Sequence, residues 1–503
     1  MSRVEQVIKE RCEVYPDSPC LFFEGVTWTR RELDQAADRC EASLVSAGFT
    51  VGQRLVTMMP NCPAVLALSI AVWRLGGTVV PLNAKAGREL LGAALGLLDP
   101  FAVMVMTGME ELASAIESQG VPASVVSPFG EITPFSGRTG LPESEDLAVI
   151  FATSGTTGMP KAVPITHRNL LNNICTVKDH VTTLREDGED IALNVLPNFH
   201  TFGFCLSGTL PLVLGYPQVI LPSFLPPART VEAIYSHKVS VIIAVPTIVA
   251  LICEVVARSN MAPPDSLNMV VCGGAPLDLR LHQRAERLLG VPIHEGYGLT
   301  ECSPVVGAAH DRAGFRPGQI GPVMEGYEIQ LRDREGKLLE GNEGVLWLRG
   351  PSVTSGYFRS PEATAQRFDK DGWFNTGDVI RFDEDGYLTV LDRDTDIIIV
   401  GGFNVYPQEV ENVLASFQGV KEAAVVGTPH GLSGEVPKAF VVLQEGASVE
   451  PRDLISFCKE RLSHYKVPRK VEFVEELPRS AIGKVLRRTL RDLERSRFAG
   501  KKA

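Results

Sequence analysis

The sequence predicts an α/β protein: a large N-terminal domain with doubly wound sheets and a β-rich subdomain, followed by a small α+β C-terminal domain. Three observations lead there. The chain has 503 residues, several times what one hydrophobic core serves. Short β-branched runs alternate with longer amphipathic ones, the pattern of parallel strands layered with helices. From about Gly318 the pattern changes to short strands and turn residues, and it changes again near Asp394.

The elements follow in chain order. Thr29 and Glu32 form a capping-box pattern ahead of a helix to about Ser46, which Gly48 stops. Residues 55–59, a helix over 64–75, Gly76-Gly77 and residues 78–82 read as one βαβ unit. Similar pairs are expected at 240–245, at 269–272 with a helix from Asp278, and at 291–295. Turns at 333–336 and 340–344 mark the β-rich subdomain, which runs to about Asp392. A strand at 397–400, a helix after Pro407, strands near 423–426 and 439–443, and helices near 453–462 and after Val485 make up the last unit. The expected domains are residues 1–394 and 395–503.

Composition narrows the function. The chain is 45% hydrophobic and 22% charged, a globular profile, and its net charge of −11 argues against nucleic acid as a partner. The basic run from Arg487 to Lys502 reads as a solvated final helix and a frayed tail. Ten cysteines without a C-x-x-C pair give no zinc or disulfide framework and fit a reducing, cytoplasmic setting. The N-terminus has charges where a signal peptide needs its apolar region.

Residues 191–228 carry no Asp, Glu, Lys or Arg, yet six prolines interrupt them, so no transmembrane helix is expected there. Residues 239–253 are uncharged too, and Pro246 is expected to split them. Both stretches are read as interior elements of a large domain, the first as the wall of an apolar pocket.

Residues 149–161 place hydroxyls and glycines between an apolar strand and a second one ending at Ile165. Gly155 and Gly158 let the backbone turn its N–H groups toward an anion. Thr153, Ser154, Thr156 and Thr157 add donors and Lys161 adds charge, a set suited to a polyphosphate. The Walker spacing is absent. Further on, Gly273-Gly274-Ala275-Pro276 and Gly296-Tyr297-Gly298 each follow an expected strand, at the carboxyl ends of a parallel sheet where ligands bind. A two-residue turn at Asp385-Gly386 pairs Asp378 with Arg393 across a hairpin and brings an acceptor beside a donor.

Five stretches occur here in a fixed order: residues 154–161, Tyr297-Gly-Leu-Thr-Glu-Cys302, Gly372-Trp-Phe-Asn-Thr-Gly-Asp378, Gly401-Gly-Phe-Asn-Val-Tyr-Pro407 and Pro478-Arg-Ser-Ala-Ile-Gly-Lys484. From about Thr27 to Arg488 the chain thereby resembles the adenylate-forming superfamily of acyl-CoA synthetases, luciferases and peptide-synthetase adenylation domains.

The resemblance implies roles. ATP binds with adenine stacked on Tyr297 against the backbone of Gly273 to Pro276, Thr300 meets the α-phosphate, and Glu301 ligates Mg2+. Asp378 takes the ribose hydroxyls and Arg393 ribose or phosphate. The C-terminal domain is expected to be mobile. In one pose Lys484 meets the carboxylate and the α-phosphate, and in the other Gly401 and Gly402 help form a tunnel for the CoA thiol. An ammonium between two anions offsets their repulsion as the pentavalent centre develops.

His200 resembles the residue that orients the substrate carboxylate. Relatives that activate amino acids usually have an aspartate nearby for the α-ammonium, whereas no acidic residue follows His200 through Ala228. A buried, unpaired ammonium is costly, so the expected substrate is an acid without an amino group, with medium- or long-chain fatty acids foremost. An aryl acid, an acyl carrier protein as acceptor in place of CoA, and a non-catalytic nucleotide-binding module are the alternatives. Peripheral contact with a membrane stays open. Two positions depart from the pattern: Thr395 stands where the hinge usually has Asp or Lys, and Ala162 follows the loop lysine where glycine is usual.

Overall fold

The computed structural model describes residues 2–144, 146–154, 160–185, 188–310, 316, 318–430, 434–479 and 485–499. The chain divides into two compact units, residues 1–328 with 348–374, and residues 329–347 with 375–503.

The first unit holds two sheets. One has six strands in the order Ala123–Val126, Ala102–Met106, Arg54–Met58, Thr78–Pro81, Leu147–Ser154 and Pro160–Thr166. All its pairings are parallel except the last, an antiparallel hairpin that sets Thr153 opposite Lys161. The expected βαβ unit is here: strand Arg54–Met58, helix Pro63–Arg74, and strand Thr78–Pro81 parallel to the first. That helix is apolar on every side and buried throughout except at Arg74, as a helix enclosed by other layers must be.

The second sheet has eight strands: Val305–Ala308, Ile293–Gly298, Met269–Gly273, Val241–Ala244, Ala192–Asn194, Gln218–Ile220, Pro19–Phe23 and Val26–Thr29. Its inner pairs are parallel and only its two edges turn antiparallel. Helix Arg30–Ser46 begins as expected, with the Thr29 side chain accepting from the Glu32 N–H and Glu32 reaching back to the Thr29 N–H. As expected, Pro246 splits residues 239–253: strand Val241–Ala244 ends before it, and it opens helix Pro246–Arg258, in whose first turn a proline lacks nothing the helix needs.

Residues 191–221 are largely interior, as expected, whereas most of 222–228 is exposed, Leu225 at 57%. Strand Ala192–Asn194, a π-helical turn at Phe202–Thr209, helix Leu210–Leu214 and strand Gln218–Ile220 share the unit's main apolar core. Among the described residues no helix is long and apolar enough to cross a membrane. The ten cysteines are free, nine of them buried.

The second unit carries a four-stranded sheet in the order Glu328–Arg332, Glu343–Arg349, Phe374–Phe382 and Leu388–Arg393. It also carries a five-stranded sheet built on the long hairpin Val420–His430 with Gly434–Leu443, with helices Pro407–Ala415, Pro451–Lys459 and Arg487–Ala499. A hairpin joins Ile398–Val400 to Phe403–Val405 through Gly401 and Gly402, whose φ angles of 57° and 90° are those a two-residue primed turn requires.

Candidate active site

The sheet of the first unit brings the glycine motifs together. Strand Met269–Gly273 lies parallel to Ile293–Gly298 with Gly273 opposite Gly296. A β-carbon on Gly273 would stand 2.9 Å from the Gly296 carbonyl oxygen and 3.3 Å from the Phe202 ring, so the two strand ends close up only with glycine there. Gly274 follows with φ +78°, and Gly274, Pro276 and Gly298 are exposed while Ala275 and Tyr297 are half-buried.

Two details differ from the sequence reading. Gly296, Tyr297 and Gly298 belong to the strand itself, because the antiparallel partner Val305–Ala308 extends its pairing. Gly298 also has a packing reason of its own: a β-carbon would stand 2.2 Å from the Pro304 carbonyl oxygen.

Thr300 and Glu301 sit on the short 3-10 turn that follows. The Thr201 hydroxyl lies 3.0 Å from the Thr300 hydroxyl, which ties this turn to the one carrying His200. His200 Nδ1 accepts from the Phe202 N–H at 3.3 Å, and the Phe204 N–H donates to the His200 carbonyl at 2.8 Å. Beneath lies a buried amide network. Asn61 Nδ2 donates to the Leu196 carbonyl at 2.7 Å and to Asn194 Oδ1 at 3.2 Å, and Asn61 Oδ1 accepts from the Asn198 N–H at 2.9 Å. Asn194 Nδ2 donates to Gln218 Oε1 at 2.8 Å. Asn61 therefore grips the backbone on both sides of Pro197, three residues before His200.

Around Glu301, the Tyr357 hydroxyl donates to Oε1 at 2.7 Å and the Thr354 N–H donates to the Glu301 carbonyl at 2.8 Å. The Lys161 ammonium stands 4.8 Å from the Tyr357 ring centroid. Burial first, and the nearby Arg367 second, lower the Lys161 pKa, while Glu301 opposes them. Burial and then the Glu301 charge push the Tyr357 phenol well above its ordinary value. Glu301 and Thr300 offer hard oxygen donors, and among the described residues no group of three or more His, Cys, Asp and Glu is placed to hold a metal. This set fits Mg2+, which takes one or two carboxylates and completes its shell with phosphate and water oxygens.

The phosphate-loop hairpin carries Thr153 and Ser154 on one strand and Lys161 on the other. Gly155, Thr156, Thr157 and Gly158 lie outside the described residues, as does Lys484.

In the second unit Asp378 and Arg393 are cross-strand partners, and Arg393 Nε reaches Asp378 Oδ1 at 2.6 Å. Asp378 is 3% exposed, whereas the Arg393 side chain is 39% exposed, so the carboxylate is buried and the guanidinium stays open to solvent. The turn differs from expectation. The Gly386 N–H donates to the Asp383 carbonyl and the Asp383 N–H to the Tyr387 carbonyl, so the loop has three residues ending on Gly386 at φ +81°. A β-bulge between Val379 and Ile380 and their partners then restores the register Asp378↔Arg393.

Sequence reasoning missed Tyr357, Thr354, Arg367 and Asn61. The first three lie in a segment with no helical or strand periodicity. Asn61 had a usable signal, being the polar residue just beyond the carboxyl end of a parallel strand.

A family model for AMP-binding enzymes matches residues 8–358, and one for the AMP-binding enzyme C-terminal domain matches residues 409–484. The chain belongs to the AMP-binding enzyme family. This AMP-binding enzyme is 34% identical over 523 residues to a long-chain-fatty-acid–CoA ligase of Yersinia pestis, an alignment covering 95% of this chain and 92% of the relative. It is 34% identical over 488 residues to a feruloyl-CoA synthase of an Amycolatopsis species, with 96% and 97% covered. Among solved structures it is similar to ATP-bound MatB from Rhodopseudomonas palustris, with a TM-score of 0.87, 28% identity and 98% and 99% of the two chains covered.

Proposed function

We propose that this AMP-binding enzyme is a cytoplasmic acid–thiol ligase. It joins ATP and a medium- or long-chain fatty acid into an acyl-adenylate, then forms the CoA thioester and releases AMP and pyrophosphate. The observation that carries the substrate class is the uncharged stretch 191–228. It is free of Asp, Glu, Lys and Arg, packed against the main core over most of 191–221, and fastened to Thr300 through Thr201. Near-full-length likeness to a long-chain-fatty-acid–CoA ligase supports the same reading.

In this proposal His200 orients the carboxylate, Thr300 contacts the α-phosphate, and Tyr297 with residues 273–276 receives adenine. Residues 153–158 with Lys161 hold the leaving phosphates, and Asp378 and Arg393 hold ribose. Glu301 would hold Mg2+, which when bound would supply positive charge to offset the negative charge developing on the phosphates. Lys484 belongs to the adenylation step and Gly401-Gly402 to the thiol tunnel, both on a mobile lid of residues 395–503 that follows a core of residues 1–394 in the chain.

The feruloyl-CoA synthase relative, equal in identity, favours an aryl acid as the second reading. Incubating the protein with ATP, Mg2+ and CoA over saturated acids of increasing length and over aryl acids tests both. The proposal expects AMP and acyl-CoA, with turnover highest for medium or long chains. Best turnover of aryl acids would transfer the assignment to the second reading. Thioester formed only on a carrier protein would replace CoA as the acceptor.

A further inference from the structure

Lys161 and Glu301 carry opposite charges, and the proposed function asks each to meet a different partner, the lysine a phosphate and the carboxylate a cation. Two such groups in one half-buried site attract each other strongly, and a direct ion pair would occupy both. Tyr357 stands against both of them. Its ring has the Lys161 ammonium 4.8 Å from the centroid, and its hydroxyl donates to Glu301 Oε1 at 2.7 Å.

The tyrosine is itself held firmly. It is 6% exposed, its N–H donates to Thr364 Oγ1 at 2.9 Å, and its ring packs edge-on against Phe368. The segment around it is bonded on both sides of the site. The Phe358 N–H donates to the Ala162 carbonyl at 2.8 Å, the Thr354 hydroxyl to the Pro164 carbonyl at 2.6 Å, and the Thr354 N–H to the Glu301 carbonyl at 2.8 Å. Residues 354–358 thus bridge the strand after the phosphate loop to the turn that bears Glu301.

We propose that Tyr357 is a positioning residue with two separable actions. Its hydroxyl aims the Glu301 carboxylate for a divalent cation, and its ring keeps Lys161 and Glu301 from collapsing into an ion pair. The ring face attracts the ammonium, which so has a partner other than the carboxylate that the hydroxyl holds. The hydroxyl binds one carboxylate oxygen, leaving the other side of the group to the cation, as outer hydrogen bonds do for metal-ligating carboxylates. This inference rests on the function proposed above and assigns a residue that the sequence motifs did not single out.

The test is ATP binding by calorimetry, with and without Mg2+, to wild type, Tyr357→Phe and Tyr357→Leu, each shown to be folded by its thermal transition. Tyr357→Phe keeps the ring and is expected to raise the Mg2+ concentration for half-maximal enhancement of ATP binding about tenfold, with metal-free ATP affinity within about twofold of wild type. Tyr357→Leu also loses the ring, so its metal-free ATP affinity is expected to fall below that of Tyr357→Phe. An unchanged Mg2+ requirement in Tyr357→Phe, or equal losses with and without Mg2+, overturns the aiming role. Equal metal-free affinities in the two variants overturn the ring's role. Wild type that fails to bind ATP with Mg2+ would instead sink the proposed function itself.

Discussion

The hydroxyls of Thr201 and Thr300 lie 3.0 Å apart, so the turn that carries His200 and the turn that carries Glu301 are fastened to one another. Thr201 is 1% exposed and lies within the uncharged stretch 191–228, while Thr300 follows the strand that ends in Tyr297 and Gly298. The proposed acid and nucleotide sites therefore share a joint inside one compact unit.

Removing that joint should cost catalysis more than folding. Thr201→Val keeps the shape and deletes one hydroxyl, with an expected loss of about 1 kcal/mol, or roughly fivefold in kcat/KM. The loss should fall on the adenylation half-reaction, measured as acid-dependent pyrophosphate release. An unchanged kcat/KM would show that the contact is incidental.

Asn61 should matter for both stability and activity. Asn61→Ala leaves the Asn198 N–H, the Leu196 carbonyl and Asn194 Oδ1 without their partner in a buried place. The expected cost is about 2–4 kcal/mol of stability. Because the chain has two compact units, the shift should be read as a lowered first denaturation midpoint, not as a single two-state value. A raised KM for the acid should accompany it, since the freed backbone flanks Pro197 ahead of His200.

Glu295, just before the Gly296-Tyr297 pair, supplies a pH test. Burial pushes its carboxyl up from 4.5 to about 7, even though Oε1 accepts from the Gly318 N–H at 3.0 Å. Between about pH 4.5 and 7 the folded protein keeps a proton that the unfolded chain has released, so this group's contribution falls as pH rises and is lost above 7. His282, whose ring nitrogen stands 3.9 Å from Glu295, has its pKa lowered by burial and acts in the opposite sense below its ordinary value. Glu295→Gln isolates the carboxylate. It should be more stable than wild type at pH 8, by up to about 3 kcal/mol, and nearly equal to it at pH 4.5. A gain that does not grow with pH would refute the assignment.

Lys484 is assigned to the first half-reaction alone. Lys484→Ala should lower adenylate formation by at least about a hundredfold while largely sparing thioester formation from supplied acyl-adenylate. Equal losses in both steps would refute that role.

Much of the fold was legible because local chemistry agreed with tertiary structure. The Thr29–Glu32 capping box, the βαβ unit over 54–81 and the parallel strands near 241, 269 and 293 all begin within a residue or two of expectation. The Gly401-Gly402 hairpin was equally legible as a primed turn between two short apolar runs, but those glycines were read only for a ligand.

Other features depend on packing that no local pattern encodes. The π-helical turn Phe202–Thr209 arises in a run that is apolar on all sides, where periodicity carries no signal. Tyr357 reaches Glu301 from 56 residues away. The Asp378–Arg393 pairing was reached from a turn one residue too short, because an unforeseen bulge made up the difference.

The central claim is that this chain joins an organic acid to AMP through ATP. Exchange of labelled pyrophosphate into ATP, measured with Mg2+ over a broad panel of acids and without CoA, tests it most directly. The account predicts exchange that depends on the acid, is strongest with medium- or long-chain fatty acids, and is absent in Lys484→Ala. No exchange with any acid, from protein that is folded and binds ATP, would contradict it.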